Sequence, residues 1–127
     1  MNLHDDDGIR DSEVTHDALA RYLGLNPKTC GTIPFSMVNA SYVYGLEDIV
    51  LKNVSDQGVD FWWIDWQQGG KQGGCAGGAQ NPTIWLNHYR ATDNFRRGDN
   101  TRGFVLARWG GLGNHRYLPF SFPKVVF

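Results

Sequence analysis

A single carboxylate inside an aromatic run constrains this chain more than any other feature. In Val59-Asp60-Phe61-Trp62-Trp63-Ile64-Asp65-Trp66-Gln67-Gln68-Gly69, the apolar stretch from Phe61 to Ile64 follows Gly58 and precedes a glycine-rich segment. An uninterrupted apolar run bounded in this way predicts a strand of a parallel sheet, buried on both faces. Asp65 then falls at the strand's carboxyl end, where the ligand crevices of such sheets lie. A carboxylate there, walled by Trp63 and Trp66, is placed for chemistry. The bland alternative is an ion-paired or helix-capping aspartate.

The pattern on either side predicts helices, a short strand ending at Leu3-His4 and one further buried strand. Ser12 can cap a first helix, with Glu13 in its first turn, Val14, Ala18, Leu19, Tyr22 and Leu23 on one side, and Gly24 as its end. Leu25 to Asn39 contains Pro27 and Pro34, has no helical period and reads as a loop. A second helix, from about Ser41 to Gln57, carries Tyr42, Leu46, Ile49, Val50 and Val54 on one side and stops at Gly58. Asn81-Pro82 starts a third, with Asn as cap and Pro at the first helical position. Its apolar side is Ile84, Trp85, Leu86, His88 and Tyr89, and it runs out near Gly98. Phe104-Val105-Leu106-Ala107 is a second buried strand that ends in Arg108. Strand, helix and strand from Val59 to Arg108 thus make a parallel βαβ unit, with Asp65 and Arg108 at equivalent ends of adjacent strands. A structural salt bridge is the competing reading of that pair.

Trp63-Ile64-Asp65-Trp66-Gln67-Gln68, with Trp62 before it, resembles the nucleophile segment of glycoside hydrolase family 31, the retaining α-glucosidase and α-xylosidase family. Two more segments agree. Asn2-Leu3-His4 through Asp7-Gly8-Ile9-Arg10 is similar to the family's Asn-Leu-His-Pro-Ala-Asp-Gly-Ile segment, and Phe104 to Tyr117 is similar to its Ser-Arg-x-x-Gly-Leu-Gly-Ser-His-Arg-Tyr segment. Order and approximate spacing match over residues 2 to 117. The resemblance implies an α/β fold class: part of a (β/α)8 TIM barrel, about three consecutive βα units with parallel strands. A whole barrel takes about 250 residues, and this chain has 127. Residues 1 to 117 are then a partial catalytic domain, and residues 118 to 127 a divergent C-terminal tail of the kind that a frameshift or truncation leaves.

The implied activity is that of a retaining α-glycosidase, α-glucosidase-like, hydrolysing O-glycosyl bonds in carbohydrate metabolism without a cofactor. By resemblance Asp65 is the nucleophile, Arg108 the arginine that binds hydroxyls of the sugar, and Trp63 and Trp66 line the same subsite. Retention needs a second carboxyl group about 5 to 5.5 Å from the nucleophile, to protonate the leaving oxygen and later activate water. The family's acid/base aspartate follows soon after His-Arg-Tyr. Here Tyr117 leads into Leu118-Pro119-Phe120-Ser121-Phe122-Pro123, and no Asp or Glu occurs after Asp99. The acid/base is therefore expected to be missing from this chain, an effect usually worth ~10²- to 10⁴-fold in rate. A rival reading keeps the sugar surface without turnover, as a non-catalytic carbohydrate-binding or degenerate fragment. A third, a flavodoxin-like binding module, is weakened by the lack of a phosphate-binding loop.

Composition narrows the partners. A net charge of -1 gives no electrostatic case for nucleic acid or an acidic membrane surface and is compatible with a neutral carbohydrate substrate. Five tryptophans suit stacking on pyranose faces and core filling equally well. Cys30 and Cys75 have no CxxC spacing and no nearby His cluster, so no zinc site is expected and free thiols are the default. Asp5-Asp6-Asp7-Gly8 lacks the EF-hand offsets and reads as a solvated loop rather than a metal site. Gly69 to Gly78 fits neither phosphate-loop pattern and is read as a flexible loop over the mouth of the site. The first residues have neither a basic nor an apolar signal region, and no apolar run is long enough for a bilayer. Asn39-Ala40-Ser41 and Asn53-Val54-Ser55 match the glycosylation pattern, which matters only on a eukaryotic secretory route.

Overall fold

The computed structural model describes residues 2–65, 81–98, 100, 103–107 and 120–121. In order, its elements are β1 (Asn2–Leu3), a 3-10 turn (Asp5–Asp7), α1 (His16–Tyr22), α2 (Ala40–Gly45), a π-helical stretch (Leu46–Leu51), α3 (Lys52–Ser55), β2 (Trp62–Ile64), α4 (Pro82–Arg96), β3 (Val105–Ala107) and β4 (Phe120–Ser121). They fall into two compact units, one of Asp5–Gly58 and one of Met1–His4 with Val59–Phe127.

In the second of these, the strands make one all-parallel sheet in the order β1-β2-β3-β4. α4 links β2 to β3, the βαβ unit expected from Val59 to Arg108. Its start follows the sequence: the Asn81 side chain accepts a hydrogen bond from the Thr83 N–H at 2.9 Å, and Pro82 occupies the first turn, where its missing N–H costs nothing. The partial (β/α)8 barrel of about three consecutive βα units is not what forms. β2–α4–β3 is the one βαβ unit among the described residues, and β1 and β4 are two residues each. The helices between β1 and β2 belong to the Asp5–Gly58 unit.

The expectation of a strand buried on both faces is also overturned. Ile64, Val105 and Ala107 are fully buried, whereas Phe61, Trp63 and Phe104 are exposed. One face is covered by α4, and of the apolar side read from the sequence only Leu86 is among its fully buried residues. Thr83, Leu86, Asn87, Arg90 and Ala91 are buried, while Ile84, Trp85, His88 and Tyr89 are half-buried. Arg90 decides the orientation: its guanidinium lies 5.4 Å from the centroid of the Trp62 ring, and the residue is 3% exposed. A guanidinium desolvated over an indole face is held by the ring quadrupole, an interaction worth ~2 kcal/mol when buried. Ala91 fixes the separation. A Cβ added at Gly103, just before β3, would overlap the Ala91 carbonyl, so the chain entering β3 passes against the helix backbone.

The Asp5–Gly58 unit is built on a short backbone bridge. Ile9 donates to the Ile33 carbonyl at 2.9 Å and Ile33 donates back at 2.8 Å. Gly8 makes the approach possible, with φ 72 and a Cβ position that would overlap the Ile33 carbonyl oxygen. Ile33, Phe35 and Met37 are buried and alternate with more open neighbours, so the loop expected from Leu25 to Asn39, which holds no helix or strand, carries part of the core. Phe35 meets Tyr42 edge to face at 6.1 Å.

The first helix starts later than Ser12 suggests. Glu13 turns back to accept the Arg10 N–H at 2.9 Å, Val14 is exposed, and α1 begins at His16. α2 starts one residue before Ser41, with Asn39 capping through the Tyr42 N–H at 3.2 Å. Beyond Gly45, which packs so closely on Leu19 that a Cβ would overlap it, the helix widens. Lys52 N–H reaches the carbonyl of Glu47, five residues back, as a π turn requires. The extra residue displaces the apolar stripe, so Leu51 is buried where α-helical spacing expected Val50 and Val54.

Two outcomes follow from this packing. Gly103→Ala must push β3 and α4 apart, and is expected to lower stability by about 1–3 kcal/mol in urea unfolding followed by tryptophan fluorescence. The other concerns His16, which is buried, with Nε2 2.8 Å from the Gly31 carbonyl and Nδ1 3.1 Å from Asp17 Oδ1. The Gly31 hydrogen bond above all, then that of Asp17 and the charges of Asp17 and Asp11, hold its pKa above the ordinary 6.5 against the effect of burial. A raised folded-state pKa stabilises fully below about pH 6.5, and the contribution is lost as pH rises through the folded value. Protection of the Leu19 and Ile33 amides, corrected for intrinsic exchange, should fall over that rise. His16→Gln should flatten the dependence.

Candidate functional site

Strand alternation sorts the residues around Asp65. Trp62 and Ile64 lie on the side of α4, so Trp63 and, one step past the strand, Asp65 belong to the other side together with Phe61. Parallel register brings Leu106 opposite Trp63 on the same face. Phe61 and Phe104 pack edge to face there, with ring centroids 5.1 Å apart and planes at 78°. The result is an aromatic sheet face, with Trp63 36% exposed, and a carboxylate at its carboxyl rim. Asp65 is half-buried, and its Oδ1 is shut off from solvent.

Two of the expected site residues fall among the described ones. Asp65 and Trp63 lie on one face at the expected end of the strand. Ile64 pairs with Ala107, the residue before Arg108, but Arg108 itself and Trp66 lie outside the described residues. So do the glycine-rich segment from Gly69 to Gly78 and Cys75.

One neighbour went unassigned in the sequence. Leu3 pairs with Ile64, so His4 and Asp65 each stand one residue beyond paired positions, at the carboxyl ends of adjacent parallel strands. Asn2-Leu3-His4 already read as a strand end. What hid the place of His4 beside Asp65 was that nothing in the sequence shows which strand lies beside β2.

No protein-family description matches the chain, and no curated protein matches it. Among the described residues no three His, Cys, Asp or Glu side chains are grouped to hold a metal ion, and no helix is long and apolar enough to cross a membrane. What the described geometry offers is a carboxylate beside an open aromatic surface: a general base or nucleophile next to a face on which a flat, partly apolar ligand can stack.

An exposed face of this kind also favours association. The chain at tens of micromolar is expected to sediment faster than a monomer, and the double variant Phe61→Ser with Trp63→Ser to shift toward monomer while keeping its helical circular dichroism. Unchanged sedimentation of that variant would assign the association to another surface.

Proposed function

We propose that this chain is a catalytic-domain fragment of a retaining α-glycosidase, in which Asp65 is the nucleophile and an α-glycoside the substrate. The observation that carries the reading is the position of Asp65: a carboxylate at the carboxyl end of β2, on the face of Trp63 and away from α4. The resemblance of three ordered segments to family 31 supports it, and within that resemblance Trp66 and Arg108 complete the sugar subsite with Trp63.

In the reaction, the Asp65 carboxylate attacks the anomeric carbon from the side opposite the leaving oxygen and forms a covalent glycosyl ester, which water then hydrolyses. Trp63 offers a ring against which the pyranose can lie while it flattens toward an oxocarbenium-like state. Protonation of the leaving oxygen is the step to which no residue is assigned here. The exposed aromatic face supports a second reading, a carbohydrate-binding fragment without turnover.

The two readings separate on a substrate whose leaving group needs no proton. With an α-glycosyl fluoride, fluoride departs unaided, and the proposal expects one glycosyl unit on the peptide that contains Asp65, seen by tandem mass spectrometry. Asp65→Asn should abolish the adduct and Asp60→Asn should leave it. An adduct that survives Asp65→Asn would overturn the assignment. Sugar binding by fluorescence with no adduct in the unaltered chain would favour the second reading.

A further inference from the structure

The carboxyl rim of the sheet carries a second side chain, to which the proposed glycosidase chemistry gives no task. β1 flanks β2 on the side opposite β3 and belongs to the same compact unit. Parallel register pairs Leu3 with Ile64, so His4 and Asp65 each follow directly on a paired position. Equivalent positions of parallel neighbours share a face, and adjacent strands lie about 4.8 Å apart. His4 thus stands one strand spacing from Asp65, at the same end of the sheet and on the face of Trp63. It is exposed, whereas Asp65 is half-buried. An imidazole so placed is open to a ligand that lies against the carboxylate.

The chemistry of a sugar says what such a ligand needs. Each of its hydroxyls is both a donor and an acceptor. An ionised carboxylate offers acceptors only, an indole offers one N–H, and a guanidinium offers donors only. Neutral imidazole carries one donor and one acceptor on separate nitrogens and so complements a hydroxyl in either sense. In the glycosidase reading Arg108, which follows β3 in the chain, binds hydroxyls. His4 follows β1, on the other flank of β2, where that reading names no residue.

We propose that His4 is a substrate-binding residue of the Asp65 site, holding a hydroxyl of the sugar whose anomeric carbon Asp65 attacks. This role rests on the glycosidase reading and adds to it the placement of the ligand, a pyranose lying across the ends of β1 and β2. Trp63 takes an apolar face of the ring, Asp65 the anomeric carbon and His4 one hydroxyl. No bond to His4 is made or broken in the reaction. Its hydrogen bond exists before the carboxylate attacks and persists during the attack, so it contributes to binding and not to the limiting rate.

The test uses the whole chain and follows glycosylation of Asp65 by mass spectrometry at increasing concentrations of α-glucosyl, α-xylosyl and α-galactosyl fluoride. His4→Ala is expected to raise the half-saturating concentration about threefold to tenfold, as the loss of one hydrogen bond should, and to leave the limiting rate little changed. His4→Gln, which keeps a donor and an acceptor, should recover most of the affinity. Because His4 is exposed, neither variant empties a core position. Labelling of the unaltered chain with the same half-saturation in His4→Ala would overturn the role of His4 while the nucleophile assignment stands, and so would a lowered limiting rate alone. No adduct with any of the three fluorides would overturn the nucleophile assignment and this role with it.

Discussion

The backbone approach between Gly103 and Ala91, with Arg90 seated over Trp62, is the constraint on which the sheet-bearing unit depends. A parallel strand pair needs a crossover, and a crossover helix stabilises the pair only if it lies close enough to exclude water. Small residues at the crossing provide the closeness, and the guanidinium over the indole sets which way the helix faces. Everything on the other side of the sheet follows from this. Once α4 has taken Trp62, Ile64, Val105 and Ala107, period-2 alternation leaves Phe61, Trp63, Leu106 and Asp65 to the opposite side.

The Asp5–Gly58 unit solves a different problem, that of a small core without a sheet. Its reciprocal Ile9–Ile33 bridge fixes two chain segments that have few other backbone partners, and Gly8 is the residue that lets them meet. Polar groups are drawn into this core as well. His16 and Glu47 are both buried, and His16 is kept there by acceptors at each ring nitrogen.

Much of the local structure was legible from the sequence. Asn81-Pro82 gave the start of α4, Gly24 and Gly58 closed their helices, and the apolar runs around Ile64 and Val105 gave a parallel pair. The errors have physical causes. Ile84, Trp85, His88 and Tyr89 look like a core stripe because they are apolar or aromatic, yet the sheet selected Arg90 through the Trp62 ring, an attraction that hydrophobicity does not register. Leu25 to Asn39 is the loop that Pro27 and Pro34 suggested, yet Ile33, Phe35 and Met37 put part of the core on it, which the loop reading alone did not show. The barrel expectation failed because a local motif specifies its own strand and not the packing partners of the helices before it. Of the candidate site, Asp65 falls at the strand end that the apolar run predicted, whereas the place of His4 beside it needed the strand order.

The widened turn at Leu46–Leu51 has a consequence for how this chain tolerates changes in length. A π turn houses one residue more than the α-helical path beside it, so the segment behaves as a helix carrying an insertion. Removing a single residue there would not break the helix. It would restore regular winding and leave everything downstream, Lys52–Ser55 included, facing as it does now. Leu51 would then keep its place in the core, whereas the same deletion in a regular helix would turn the following residues by roughly 100°.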